Sequence, residues 1–146
     1  MEDTIGSILA DTSRLIRRAF DAGARTIGVT RPQWQMLSVL RRHEGSNQGK
    51  LADLMDIEPI TLCRMVDRMQ EAELVERRRD PSDRRAWRLY LTDKAKDLLD
   101  ELLPIGEGVM NTALSGMSEK EQALLQELLD KVRQNLARHT VESEQS

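Results

Sequence analysis

The segment DPSDRRAWRLYLT, residues 80–92, concentrates cationic and aromatic side chains beside a turn. Between Arg77 and Arg88 there are six arginines and only two acidic residues. Arginine donates paired hydrogen bonds to phosphate and to guanine, and it responds to the negative potential of a narrow minor groove. The predicted chemistry of this stretch is therefore contact with an anionic polymer.

A second set of candidate contact residues lies in EPITLCRMVDRMQEAE, residues 58–73. At 100° per residue this segment forms a helix with an apolar side and a polar side. Polar residues in the first turns of such a helix reach base edges when its N-terminal end enters a major groove. A solvated surface is the alternative, because exposed arginines are common on helices. The packed side holds Leu62, Val66 and Met69, and the free side holds Thr61, Arg64 and Arg68.

The charge of the chain is segregated along the sequence. The net charge is −3, yet residues 93–146 contain six basic and eleven acidic side chains. Charges separated by more than about 8 to 10 Å are screened at physiological salt. A local basic patch can therefore attract a polyanion although the whole protein is acidic.

Length and composition predict one globular domain. The chain has 146 residues, of which 39% are hydrophobic, enough to bury one core. It contains no run of eighteen apolar residues, and its N-terminus lacks the basic and apolar regions of a signal peptide. We therefore expect a cytoplasmic protein with no membrane partner.

Metal, cofactor and enzyme chemistry are not expected. Cys63 is the single cysteine, and only His43 and His139 could add imidazole ligands, so structural zinc is not predicted. The sequence has no Gly-rich phosphate loop, no HExxH and no GxSxG. We expect neither a cofactor nor a catalytic site.

Hydrophobic periodicity predicts a mainly α-helical fold with one β-hairpin. Gly28 is expected to end the first helix, and Thr30, Thr92 and Ser118 are expected to cap later ones. Pro104 is expected to kink or interrupt the fifth helix, and the residues beyond about Thr140 are expected to be disordered. The predicted helices cover residues 3–27, 30–43, 48–55, 58–73, 92–104 with a resumption at 109–114, and 118–140.

The predicted hairpin pairs LVERRR, residues 74–79, with AWRLYLT, residues 86–92. Its tip holds Arg84 and Arg85 out into solvent, in a position to enter a minor groove. Asp83 is expected to hold a neighbouring arginine or to cap the turn through backbone amides. An ordinary charged hairpin is the alternative.

A helix–turn–helix followed by LVERRRDPSDRRAWRLYLT resembles the winged helix of the MarR family of bacterial transcription regulators, particularly its SlyA-like branch. The resemblance covers nearly the whole chain. It implies a winged helix–turn–helix DNA-binding lobe over residues 31–92 and a helical dimerisation region over residues 1–30 and 93–146. The DNA-binding positions that it implies are Thr61, Arg64, Asp83, Arg84 and Arg85, and the polar face of the helix adds Arg68.

The terminal helices carry more apolar surface than a small winged helix can cover, which favours a homodimer. A helical bundle formed within one chain is the alternative. A twofold axis would bring two recognition helices to major grooves about 34 Å apart. The expected partner is then double-stranded DNA with a pseudo-palindromic operator.

The resemblance also implies a small aromatic carboxylate effector that relieves DNA binding. The positions that it implies are Arg14 and Arg17, with Phe20 and Trp34 as apolar walls. The favoured alternative is that the arginines form a solvated helix stripe and that Trp34 is a core residue. Cys63 lies near the packed side of its helix, where we expect an inert buried thiol without a redox role.

A winged-helix adaptor that binds an acidic protein surface, with no nucleic acid involved, is the alternative function. The free polar face with Thr61 and Arg64 favours DNA. Retention on heparin or nonspecific DNA at low salt separates the two hypotheses.

Overall fold

The computed structural model describes residues 2–146. It has the expected mainly α-helical fold with one antiparallel hairpin. The elements run in chain order as α1 (Ile5–Thr26), α2 (Arg31–Arg42), α3 (Gln48–Met55), α4 (Pro59–Glu71), β1 (Val75–Arg79), β2 (Trp87–Leu91), α5 (Asp93–Ala113) and α6 (Glu119–Glu144).

Local side-chain chemistry sets the helix starts. The Thr30 side chain accepts from the backbone of Gln33, and the Gln33 side chain accepts from the amide of Thr30. Ser118 and Glu121 form the same reciprocal pair before α6. Each pair satisfies backbone donors that a helix start leaves free, which stabilises the helix by about 1 kcal/mol. The predicted caps at Thr30 and Ser118 are confirmed.

The chain divides into two compact units, one ending at Val109 and one running from Met110 to Ser146. The first unit contains a continuous hydrophobic core contributed by α1 to α5 and by the hairpin. Its largest fully buried side chains are Met36, Leu37, Leu40, Leu51, Leu62, Val66, Val75 and Leu89.

The hairpin is joined to the helical part of its unit along the second edge of β2. Leu89 N–H donates to the carbonyl of Ser46 at 3.0 Å, and Gly45 N–H donates to the carbonyl of Leu89 at 2.9 Å. One carboxylate oxygen of Glu44 accepts from the amide of Leu91 at 3.1 Å. The short segment between α2 and α3 thus orients the hairpin. Within the hairpin, Val75 pairs with Leu91 and Arg79 pairs with Trp87.

The interruption expected at Pro104 and the disordered tail expected beyond about Thr140 are both wrong. Pro104 does not interrupt α5, which runs unbroken from Asp93 to Ala113. A proline removes one backbone donor, and here buried Leu102 and the packed Ile105 hold the helix on both sides of it.

The predicted disordered tail beyond about Thr140 is helical to Glu144. Hydroxyl groups of this last turn donate back to the helix, from Thr140 to the carbonyl of Leu136 and from Ser143 to the carbonyl of His139. No proline or glycine follows Gly116 in the sequence, so nothing in the backbone chemistry ends α6 earlier.

Candidate nucleic-acid interface

Helix α4 presents the predicted polar face to solvent. Its core side consists of Leu62, Val66 and Met69, all of which are buried. Its opposite side exposes Thr61, Arg64 and Arg68. Within residues 2–146, the side chains of these three residues make no hydrogen bond or ion pair. They are therefore available to an external partner.

Arg77 connects the hairpin to α3 and α4, a role that the sequence did not indicate. Its guanidinium donates to the side chain of Gln48 at 2.8 Å and to that of Gln70 at 2.9 Å. It also donates to the carbonyl of Cys63 at 3.2 Å and pairs with Asp67 at 2.7 Å. Only 15% of this side chain is exposed. Arg77 is thus a structural link and not a free cation.

Asp80 organises the start of the hairpin turn. This buried carboxylate accepts from the Ser82 hydroxyl at 2.7 Å, from the Ser82 amide at 2.9 Å and from Arg88 Nε at 2.9 Å. These hydrogen bonds, from Ser82 first and then Arg88, hold the pKa of Asp80 well below its ordinary value. The same contact raises the pKa of Arg88. Arg88 is therefore committed to holding the turn.

The tip, residues 80–86, is fixed by contacts to its backbone. Asp83 accepts from the amide of Arg85 at 3.0 Å, which confirms that Asp83 caps the turn. Arg79 donates to the carbonyl of Arg84 at 2.8 Å, and its guanidinium lies 4.8 Å from the centre of the Trp87 ring. These contacts set the direction of the tip and leave the side chains of Arg84 and Arg85 exposed.

Folding sorts the six arginines of the hairpin into two groups. Arg77, Arg79 and Arg88 donate hydrogen bonds within the protein. Arg78 stacks on Tyr90 at 4.1 Å and pairs with Glu76 at 3.2 Å. The remaining two, Arg84 and Arg85, have exposed side chains with no such partner in the described part of the chain. The free positive charge of the hairpin is concentrated at its tip.

The four predicted effector residues are only partly brought together. Phe20 and Trp34 are in contact, with ring centroids 4.6 Å apart. Arg14 pairs instead with Asp11 at 3.5 Å, and Arg17 is exposed one turn before Phe20.

An acidic group lies next to this aromatic pair. Asp21 accepts from the Trp34 indole N–H at 2.6 Å and pairs with Arg31. The bond from Arg31, followed by that from Trp34, lowers the pKa of Asp21. The indole donor is therefore already engaged.

Cys63 is half-buried rather than fully buried, with its sulfur 3.7 Å from a guanidinium nitrogen of Arg77. The expectation of a buried thiol is thus met in part, because the side chain lies at the edge of the packed side of α4.

Over residues 2–146 no group of three or more His, Cys, Asp or Glu side chains is arranged to hold a metal ion. No helix in the described chain has the length and apolar character needed to cross a membrane.

Comparisons with known proteins agree with this architecture. The model of the MarR family matches residues 29–87. The transcriptional regulator PA3341, of known crystal structure, is 34% identical; the alignment covers 92% of this chain and 99% of that chain, with a TM-score of 0.80.

Two further crystal structures share the fold. A MarR transcriptional regulator from Methanosarcina mazei Go1 is 25% identical over 92% of this chain and 96% of its own, with a TM-score of 0.83. A mutant MarR from E. coli complexed with operator DNA is 22% identical over 88% of this chain and 92% of its own, with a TM-score of 0.75.

Proposed function

The chain belongs to the MarR family of transcriptional regulators, and on that premise we propose that it is a homodimer that binds a specific double-stranded DNA operator. Helix α4 enters the major groove, and the hairpin, here the wing, places its tip in the adjacent minor groove. The SlyA-like branch remains a proposal that rests on the wing sequence.

The observation that carries the proposal is the sorting of cationic side chains. Arg64 and Arg68 on α4 and Arg84 and Arg85 at the wing tip are exposed and unpaired within residues 2–146. Arg77, Arg79 and Arg88 hold these elements in place, and Arg78 stacks on Tyr90 and pairs with Glu76. Arginine on a recognition helix can donate two hydrogen bonds to guanine, and arginine at a narrow projection suits the minor groove. The E. coli MarR mutant of this fold was solved in complex with operator DNA, which supports DNA as the partner.

Dimerisation is supported by apolar surface in the C-terminal unit. Helix α6 exposes a leucine-rich stripe, and a groove of about 830 Å³ runs beside it, lined by Met110, Leu114, Leu125 and Leu129 among others. A contiguous stripe of exposed apolar side chains is typical of an association site. The stripe consists of Leu124, Leu125, Leu128, Leu129, Val132 and Leu136.

Sedimentation velocity tests the dimer. Wild type should sediment as a dimer, whereas Leu128→Asp should shift the protein toward monomer and weaken DNA binding, because a charge in an apolar interface is costly. Exposed Val141 provides the matched control, Val141→Asp, near the end of α6. A monomeric wild type would reject the homodimer.

Sequence-specific binding is tested by selecting duplexes from a random library at physiological salt. Specific binding should enrich pseudo-palindromes whose half-sites are about one helical turn apart. Retention on heparin with no enriched sequence would reject sequence specificity. Failure to bind either polymer would favour the protein–protein adaptor.

We also propose that a small aromatic carboxylate weakens DNA binding from a site at Phe20 and Trp34, with Arg17 and Arg14 pairing with the acid. The ring contact and the exposure of Arg17 support this site. Asp21 opposes an anion there, although its pairing with Arg31 reduces the repulsion. Salicylate should reduce operator affinity in wild type and have less effect in Arg17→Ala. Equal effects in both proteins, or none in either, would reject the site.

A further inference from the structure

Ile60 is an exposed apolar residue in the middle of an otherwise polar face. It lies in the first turn of α4, and 63% of it is exposed. It precedes Arg64 by four residues, so both side chains lie along one side of the helix. The core does not account for an isoleucine at this position, because the core side of α4 is formed by Leu62, Val66 and Met69.

The direction of Ile60 is set by its surroundings. Pro59 occupies the first helical position and fixes the backbone there. Ile57 N–H donates to the carbonyl of Ala52 at 3.1 Å, which closes the turn between α3 and α4. A β-branched side chain on a helix has essentially one χ1 rotamer. Ile60 is therefore a rigid apolar projection at the entry of α4.

We propose that Ile60 determines operator specificity by contacting the 5-methyl group of a thymine close to the base contacted by Arg64, which lies one turn further along α4. This inference rests on the proposed DNA binding. Thymine alone presents a methyl group in the major groove, and apolar side chains recognise it by contact. A rigid exposed isoleucine next to arginine suits a site where a thymine lies beside a guanine.

Replacement of thymine by uracil in the operator removes only this methyl group. In a duplex selected by the wild-type protein, each symmetric pair of thymines is replaced by uracil in turn. Wild type should lose about fourfold in affinity per half-site at one such pair, the effect of removing one buried methyl group. Ile60→Ala should bind the thymine duplex more weakly than wild type and should not distinguish uracil from thymine at that pair.

Leu54→Ala provides the matched control, because Leu54 is a comparably exposed apolar residue, at 45%, on the preceding helix. This variant should retain the full uracil penalty. Circular dichroism and urea unfolding establish that both variants are folded.

The inference is overturned if wild type is indifferent to uracil at every position, or if Ile60→Ala keeps the same penalty, while specific binding persists. It is overturned together with the proposed function if folded wild type selects no duplex at all. Loss of the penalty in Ile60→Ala alone supports it.

Discussion

The guanidinium of Arg77, on β1, donates a hydrogen bond to the carbonyl oxygen of Cys63, in the middle of α4, at 3.2 Å. The same side chain reaches Gln48 on α3. One largely buried cation thus joins the base of the wing to both helices of the helix–turn–helix. Arg77 therefore connects α4 directly to β1.

Replacement of Arg77 by alanine should lower the free energy of unfolding by about 2 kcal/mol, because several hydrogen bonds to a charged group are removed together. Operator affinity should also fall, although no exposed DNA-binding candidate has changed. Arg78→Ala removes an exposed arginine from the same strand and should cost well under 1 kcal/mol. Urea unfolding of both variants measures the difference. Equal stability of the two variants would show that Arg77 does not link these elements.

The hydrogen bonds of Asp80 predict a dependence of stability on pH. Folding lowers the pKa of this carboxyl group from its ordinary value of 3.8, so its contribution is complete above that value and is lost as the pH falls below it. Asp80→Asn should be less stable than wild type near neutral pH and should approach it in acid. The measurement is the difference in the free energy of unfolding between wild type and Asp80→Asn, determined at about pH 6 and again at about pH 3. A difference that does not change over this interval would contradict the role of the ionised carboxylate.

The exposed tip arginines predict the salt dependence of DNA binding. A plot of log affinity against log salt has a negative slope. In the double variant Arg84→Ala, Arg85→Ala, the magnitude of this slope should fall by about one for each phosphate that the tip no longer neutralises. Arg18→Ala with Arg138→Ala removes the same charge from two exposed helical positions outside the wing. That control should leave the slope nearly unchanged. Equal slopes in the two double variants would mean that overall charge, and not the tip, determines binding.

A close approach between α1 and α5 predicts an effect on stability. A Cβ atom at Gly23 would lie 2.5 Å from Cγ2 of Ile105. Gly23→Ala should therefore lower the free energy of unfolding by about 1 to 3 kcal/mol through overpacking. A Cβ atom at Gly108, on α5, would meet nothing within 4 Å.

Gly108→Ala should accordingly raise stability by about 0.5 to 1 kcal/mol, because alanine loses less backbone entropy in a helix. Urea denaturation tests both substitutions. A stabilised Gly23→Ala variant would show that Ile105 yields without cost.

Much of the fold could be predicted because its determinants are local. Thr30 and Ser118 mark helix starts by hydrogen bonds that span three residues, and the packed side of α4 follows from helical spacing. The tail expected to be disordered beyond about Thr140 is helical because no proline or glycine ends α6 there. At Pro104, packing outweighed a local signal. The fifth helix continues through Pro104 because the residues on both sides of it are held against the core.

The candidate site was predictable in its exposed residues but not in its supports. Arg64 and Arg84 could be expected to face solvent from helical spacing and from turn chemistry. Arg77 contacts Gln48, which is 29 positions away in sequence. Hydrophobic periodicity predicts helices and strands but not side-chain contacts between distant segments. The sequence therefore indicated a cluster of arginines without distinguishing structural from free ones. Strand pairing and tertiary contacts make that distinction.

Sequence-specific DNA binding is tested by fluorescence anisotropy of the purified protein against the duplex DNA immediately upstream of its own gene. Wild type should bind this duplex tightly and resist competitor DNA. Arg64→Ala should lose about 1 to 3 kcal/mol of binding free energy, and the double variant Arg84→Ala, Arg85→Ala should bind weakly. A folded dimeric wild type that does not bind this duplex at low salt, or an Arg64→Ala variant that binds it as wild type does, would contradict specific DNA binding through α4.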